Sequence, residues 1–106
     1  MALIKGNRYK KADFGIKFPR TLPSQATVNG EIYFFITIDD RRNNKLENGY
    51  IIHEPNEPWE VVQQLTPVTE IMHTFVRKAG ENDFEYVGVL DTVDYYDPKR
   101  NKLTVK

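Results

Sequence analysis

A mainly β domain, folded as a small bent sheet or barrel with one or two short helices, is what this sequence predicts. Three observations carry that expectation. Residues 72–96 hold two apolar-alternating runs, His73 to Arg77 and Phe84 to Val93, joined by the polar string Ala79-Gly80-Glu81-Asn82-Asp83, which is the pattern of a β-hairpin. Glu31 to Ile38 (EIYFFITI) is apolar on both faces, as a central strand must be. Six prolines and six glycines punctuate short runs in a chain with 12% aromatic residues, a composition that favours strands over long helices.

Element by element, Gly6 to Gly15 can hold a short strand or one helical turn ending at Gly15. Pro19 and Pro23 break any regular element beyond it, and Leu22 to Thr27 reads as a loop. Asn29-Gly30 is a turn pair leading into the Glu31–Ile38 strand. Asp39 to Asn48 reads as a charged loop closed by Gly49, and Tyr50 to His53 as the next strand. Pro55 and Pro58 bracket a rigid segment presenting Trp59. Glu60 to Leu65 fits either a helical turn or a strand, ended by Pro67. After the hairpin, a turn over Asp97 to Asn101 leads to a last strand, Lys102 to Val105. A ten-residue strand such as Phe84 to Val93 must curve to stay inside so small a domain, and Gly88 is well placed for the bend. No internal repeat is visible, and 106 residues make a single domain, with residues 1–29 a basic, proline-containing lead-in.

Composition narrows the function classes. The chain has no cysteine, which removes disulfides, thiolate metal sites and a cysteine nucleophile together. No apolar run approaches the roughly 18 residues that span a membrane, so the expectation is a cytoplasmic protein with no membrane partner. Fifteen cationic residues balance fifteen anionic ones, but unevenly. Residues 1–20 carry six cations against Asp13, and residues 79–97 carry six acids and no base. Such segments either make a basic face or neutralise each other in the fold.

Catalytic patterns are wanting. His53 and His73 lack metal-ligand spacing, and His73, on a strand beside Phe75, reads as a satisfied, partly buried histidine. Ser24, the only serine, sits in no nucleophile elbow, and no glycine-rich phosphate loop occurs. Asp39-Asp40 could hold a divalent metal. Adjacent strand residues point to opposite faces, however, and Arg41-Arg42 follow, so a solvated turn is the reading. The expectation is a non-enzyme with no cofactor and no metal.

What remains is recognition chemistry. Tyr33, Phe35, Tyr50, Trp59 and Tyr86 offer aromatic faces. Asn43, Asn44, Asn48, Gln63 and Gln64 offer amides, and Arg41, Arg42, Lys45, Arg77 and Lys78 offer cations. Nucleic-acid sites combine these types because rings stack bases, amides read base edges and cations hold phosphates. Trp59, held between prolines, is the aromatic residue most expected at the surface; the alternative is a tryptophan plugging the barrel end.

The order FFITIDD (residues 34–40), Tyr50, Trp59 with Gln63-Gln64, TFVRK (residues 74–78), FEYVG (residues 84–88) and a closing strand resembles a known pattern. It is similar to the C-terminal accessory domain of certain bacterial superfamily 2 helicase and restriction-type proteins, related to the SRA and PUA-like group of small β-barrels. The resemblance covers about residues 30–105. The tryptophan-glutamine box is stretched here, and Pro58 stands where a histidine is usual. What it implies is a non-catalytic specificity module that binds DNA, duplex in the first instance, with some SRA-like members flipping a modified base into an aromatic pocket. Carried onto this chain, Tyr50, Trp59, Gln63, Gln64 and Tyr33 would line the pocket, and Arg41, Arg42, Lys45, Arg77 and Lys78 would meet the backbone. The domain would serve a helicase or nuclease, as part of the same polypeptide or as a partner, in restriction and antiviral defence. A protein-interaction domain using the aromatic patch or a sheet edge is the alternative. A metal-dependent nuclease built on Asp39 and Asp40 is the third.

Overall fold

The computed structural model describes residues 2–16, 24–38 and 44–106. Pro19 and Pro23 lie outside them. The described residues form nine strands: β1 (Arg8–Tyr9), β2 (Gln25–Val28), β3 (Glu31–Ile38), β4 (Lys45–Glu47), β5 (Tyr50–His53), β6 (Thr66–Pro67), β7 (Met72–Lys78), β8 (Phe84–Asp97) and β9 (Arg100–Val105). Two 3-10 turns, Lys11–Phe14 and Pro58–Glu60, are the helical elements among the described residues. The fold is mainly β, a bent sheet in the order β2-β3-β7-β8-β9-β5-β4 that does not close into a barrel.

β8 organises it. Its 14 residues would run about 46 Å if straight, at roughly 3.3 Å per residue, and the longest dimension of the molecule is 35 Å. The strand therefore bends, and it serves two sheets. Its first half pairs with β7 on one edge and β1 on the other; its second half pairs with β9 and with β6. The bend falls at Gly88, with φ +125°, where the β7 register slips between Thr74 and Phe75. β7 and β8 are the hairpin expected from the sequence. β3 lies between β2 and, in parallel, β7.

β3 is apolar on both faces because each face closes a different core. Tyr33 and Phe35 enter an aromatic cluster with Tyr9, Phe75, Phe84 and Tyr86. Phe34 and Ile36 join Val76, Ile51, Leu90 and Leu103 between the two halves of the sheet. The N-terminal segment covers the aromatic cluster with Leu3, Phe14 and Ile16. Gly6 to Gly15 forms both structures it could have formed: β1, then a 3-10 turn that ends at Gly15 in the left-handed region. Its charges meet those of β8, since Arg8 pairs in register with Glu85 and its guanidinium bonds Glu81 at 3.1 Å. Among the described residues this is the one ion pair between the basic and the acidic segment.

Several expectations need correction. Residues 25–28 are strand rather than loop. β4 occupies the end of the supposed charged loop 39–48. β8 continues to Asp97, and β9 begins at Arg100, so the turn between them is tight. Glu60 closes the 3-10 turn Pro58–Glu60, residues 61–65 are neither helix nor strand, and Pro67 lies within β6 rather than ending an element before it. Proline fits there because β6 is an edge strand, whose unpaired side needs no donor. No helix among the described residues is long and apolar enough to cross a membrane.

Candidate nucleic-acid interface

The segment carrying Trp59 is built to hold that ring outward. Pro58 starts a 3-10 turn with its fixed φ, and the amides of Glu60 and Val61 bond back to Glu57 and Pro58. Val61 is buried and anchors the turn, while Trp59 stands 78% exposed. The plugging alternative is thereby removed. Asn101, 5% exposed, clamps the segment from β9: its Oδ1 accepts the Val62 N–H at 2.9 Å, and its Nδ2 donates to the Glu60 carbonyl at 3.1 Å. Asn101→Ala strands both backbone groups, for an expected loss of about 1–3 kcal/mol. Hydrogen exchange at the Val62 amide should accelerate, and an unchanged rate would show that the clamp is dispensable.

Asn101 sits opposite Tyr95 in the β8–β9 ladder, so the two side chains share a face of the ribbon. Tyr95, 41% exposed, therefore lies on the face of the ribbon that holds the Trp59 segment, in which Gln63, Gln64 and Leu65, the last 59% exposed, are exposed as well. Tyr96, the next residue, lies on the other face, under the Arg100 guanidinium at 5.1 Å. Arg100 also bonds Asp97 at 2.7 Å, which holds that carboxyl below its usual range. Sequence reasoning misses Leu65 and Tyr95. The available signal is Tyr95-Tyr96 between Asp94 and Asp97, since two neighbouring strand residues cannot both face one core.

The basic candidates lie around the end of β3. Arg77 Nε donates to Thr37 Oγ1 at 3.0 Å, and its guanidinium lies 4.5 Å from the centre of the Phe84 ring. Lys45 and Lys78 are exposed. Arg41, Arg42 and Asn43, like Asp39 and Asp40, lie outside the described residues. Asn44 connects this region to the Trp59 segment, with Nδ2 donating to Thr37 O and Oδ1 accepting from Glu54 N. That buried amide is a clamp and is spent on backbone, so it reads no base.

The aromatic pocket expected from the sequence does not form. Tyr33 is buried in the aromatic cluster, stacked on Phe75 and edge-on to Phe14 and His73; burial, then Glu31, raises its pKa. Phe35 and Tyr86 are buried there too. Tyr50 is half-buried at the other end of β5 from His53, which pairs with Asn101. That is about 10 Å along the strand at roughly 3.3 Å per residue. Its ring lies under Lys102 Nζ at 4.6 Å. Tyr50 instead lines a cleft of about 280 Å³ with Lys5, Leu46, Glu47, Val87 and Val105, into which the turn residue Asn48 also opens.

His73 is satisfied and half-buried, with Nδ1 2.9 Å from the Tyr86 hydroxyl and Nε2 3.0 Å from Glu31. Among the described residues no group of three acidic or histidine side chains is placed to hold a metal. In comparisons with known proteins, no family model, no curated protein and no solved structure matches the chain.

Proposed function

We propose that this domain is a non-catalytic DNA-binding module whose recognition surface is Trp59 with Gln63, Gln64 and Tyr95. It would serve a nuclease or helicase. The observation that carries the reading is the presentation of Trp59: a rigid, outward ring on a segment that also exposes the amides of Gln63 and Gln64. An exposed indole supplies a stacking face that any base can use, worth about 1–3 kcal/mol per base, and neighbouring amides add edge hydrogen bonds. The resemblance of residues 30–105 to accessory domains of restriction-type proteins supports the same reading and makes a modified cytosine the first base to try.

Fluorescence anisotropy with short labelled duplexes, plain and carrying modified cytosines, tests it at two salt concentrations. Affinity should fall steeply with salt if several phosphates are contacted. Trp59→Ala should weaken binding about tenfold, within the range for one stacked base, with the melting temperature unchanged because the ring packs on so little. No binding to duplex or single strand at micromolar protein would overturn the proposal.

A protein partner is the second reading, favoured by Leu65 and by the acids Glu57, Glu60, Asp94 and Asp97 that flank the aromatic residues. Apolar interfaces centre on exposed tryptophan and tyrosine and lose less affinity with salt than phosphate contacts do.

A further inference from the structure

We propose that Lys11 and Arg77 form a binding site for a phosphate group at the Phe84 edge of the aromatic cluster. Lys11 Nζ lies 5.1 Å from the centre of the Phe35 ring and 5.7 Å from that of Phe84, and the Arg77 guanidinium is 4.5 Å from the Phe84 centre. Two cations therefore share one ring. Each gains from the ring's negative face, but they repel each other, and both are partly buried.

Among the described residues no carboxylate lies within ion-pair distance of either. The acids on neighbouring elements are engaged elsewhere or out of reach. Glu81 bonds Arg8 and the Lys78 amide, and Asp13 Oδ2 accepts the Lys10 amide. Asp83, which precedes Phe84, makes no ion pair, and its Oδ1 is buried without a partner. Nor are the donors filled. The Lys11 ammonium has no acceptor among the described residues, and Arg77 uses Nε on Thr37 while reaching the Glu81 carbonyl only at 3.4 Å.

Unfilled donors and uncompensated like charges in a half-buried site are costly. The Lys11 pKa responds accordingly, lowered by burial first and by Arg77 second. A group of two negative charges and several oxygens answers both deficits. A carboxylate matches one charge; a phosphate carries about −1.5 to −2 at neutral pH and offers three or more acceptors. The phosphate is either free or the terminal monoester of a nucleic acid, since a backbone diester carries one charge and meets half of the deficit. The site is separate from the Trp59 surface and stands or falls independently of it.

The test is titration of the whole chain with inorganic phosphate at constant ionic strength, followed by the Arg77 Nε–H resonance and by thermal melting. A saturating shift of that resonance is expected. The phosphate-induced rise in melting temperature should be at least about twice that of Lys11→Met, which keeps the packing stem and removes the charge. Phosphate stabilises most proteins through exclusion from their surface, so the difference between wild type and variant carries the result. A non-saturating shift, or equal rises in the two proteins, would overturn the site. Should Lys11→Met fold poorly, the wild-type resonance decides alone. A short 5′-phosphorylated oligonucleotide then identifies the source: if it moves the Arg77 resonance the phosphate is a terminal one on a nucleic acid, and if only inorganic phosphate does, the ligand is free. Loss of oligonucleotide binding in Trp59→Ala with the phosphate shift intact would separate this site from the DNA-reading surface.

Discussion

Phe75→Ala is expected to cost about 3–5 kcal/mol, the range for emptying a large aromatic position in a closed core. Phe75 is 0% exposed and its ring meets five others: Tyr33 and Phe35 nearly parallel at 5.4 and 4.9 Å, Tyr9 edge-on at 6.2 Å, and Phe14 and Tyr86 tilted at 5.5 and 5.2 Å. Rings cannot collapse into the space as short aliphatic chains can, so the cavity persists. A domain of this size is stable by only about 5–15 kcal/mol, and the variant should lose a large part of that. Urea denaturation gives the number from the midpoint at unchanged slope. A loss below about 1.5 kcal/mol, under the usual range for such a truncation, would mean that the N-terminal cover moves in to fill the hole. That cover, Tyr9 and Phe14, is tied down by β1 and by backbone bonds between Gly6, Asn7 and Tyr86.

The same residues show how far the sequence discloses the fold. Alternation in β7 and β8, and the two-sided apolar run of β3, mark long strands because burial leaves a period that turns do not. β2 and β4, two of the strands without such a mark, are short and mostly polar or exposed at sheet edges, where packing imposes little pattern. Each nevertheless precedes an Asn-Gly pair, Asn29-Gly30 before β3 and Asn48-Gly49 before β5. At the first of these both residues take positive φ, 50° and 81°, as a two-residue hairpin turn requires. The turn chemistry is legible in the sequence; the strand on its polar side is the part without a hydrophobic signal. For the candidate site, the prolines around Trp59 foretell that the ring is presented. The grouping of aromatics into one pocket is not legible, because it depends on which face of β3 and which end of β5 each ring occupies. Those placements depend on the bend in β8, a tertiary feature.

Gly88 is where that bend can be broken with one methyl group. With φ at +125°, any other residue is strained at this position. An added Cβ would also come within 2.3 Å of the Lys106 carbonyl oxygen, a backbone atom, and 3.3 Å of the Lys5 side chain. The side chain of Lys5 can swing away; the end of β9 can retreat only by giving up its paired hydrogen bonds with Val89, at 2.9 and 3.3 Å. Strain of about 1–3 kcal/mol and two bonds at about 1 kcal/mol each give an expected loss of about 3–5 kcal/mol for Gly88→Ala. Hydrogen exchange distinguishes how the loss arises. If β9 lets go, the Lys106 and Val89 amides exchange faster while the β7–β8 amides stay protected; if the bulge straightens, protection falls at Thr74 and Phe75 as well. Straightening would swing the second half of β8, and Tyr95 with it, relative to the aromatic core. Trp59 rides on β9 through Asn101, so the recognition surface would move as one piece with the β8–β9 ribbon. A Gly88→Ala protein with the wild-type unfolding midpoint would show that the bend is not fixed by this glycine.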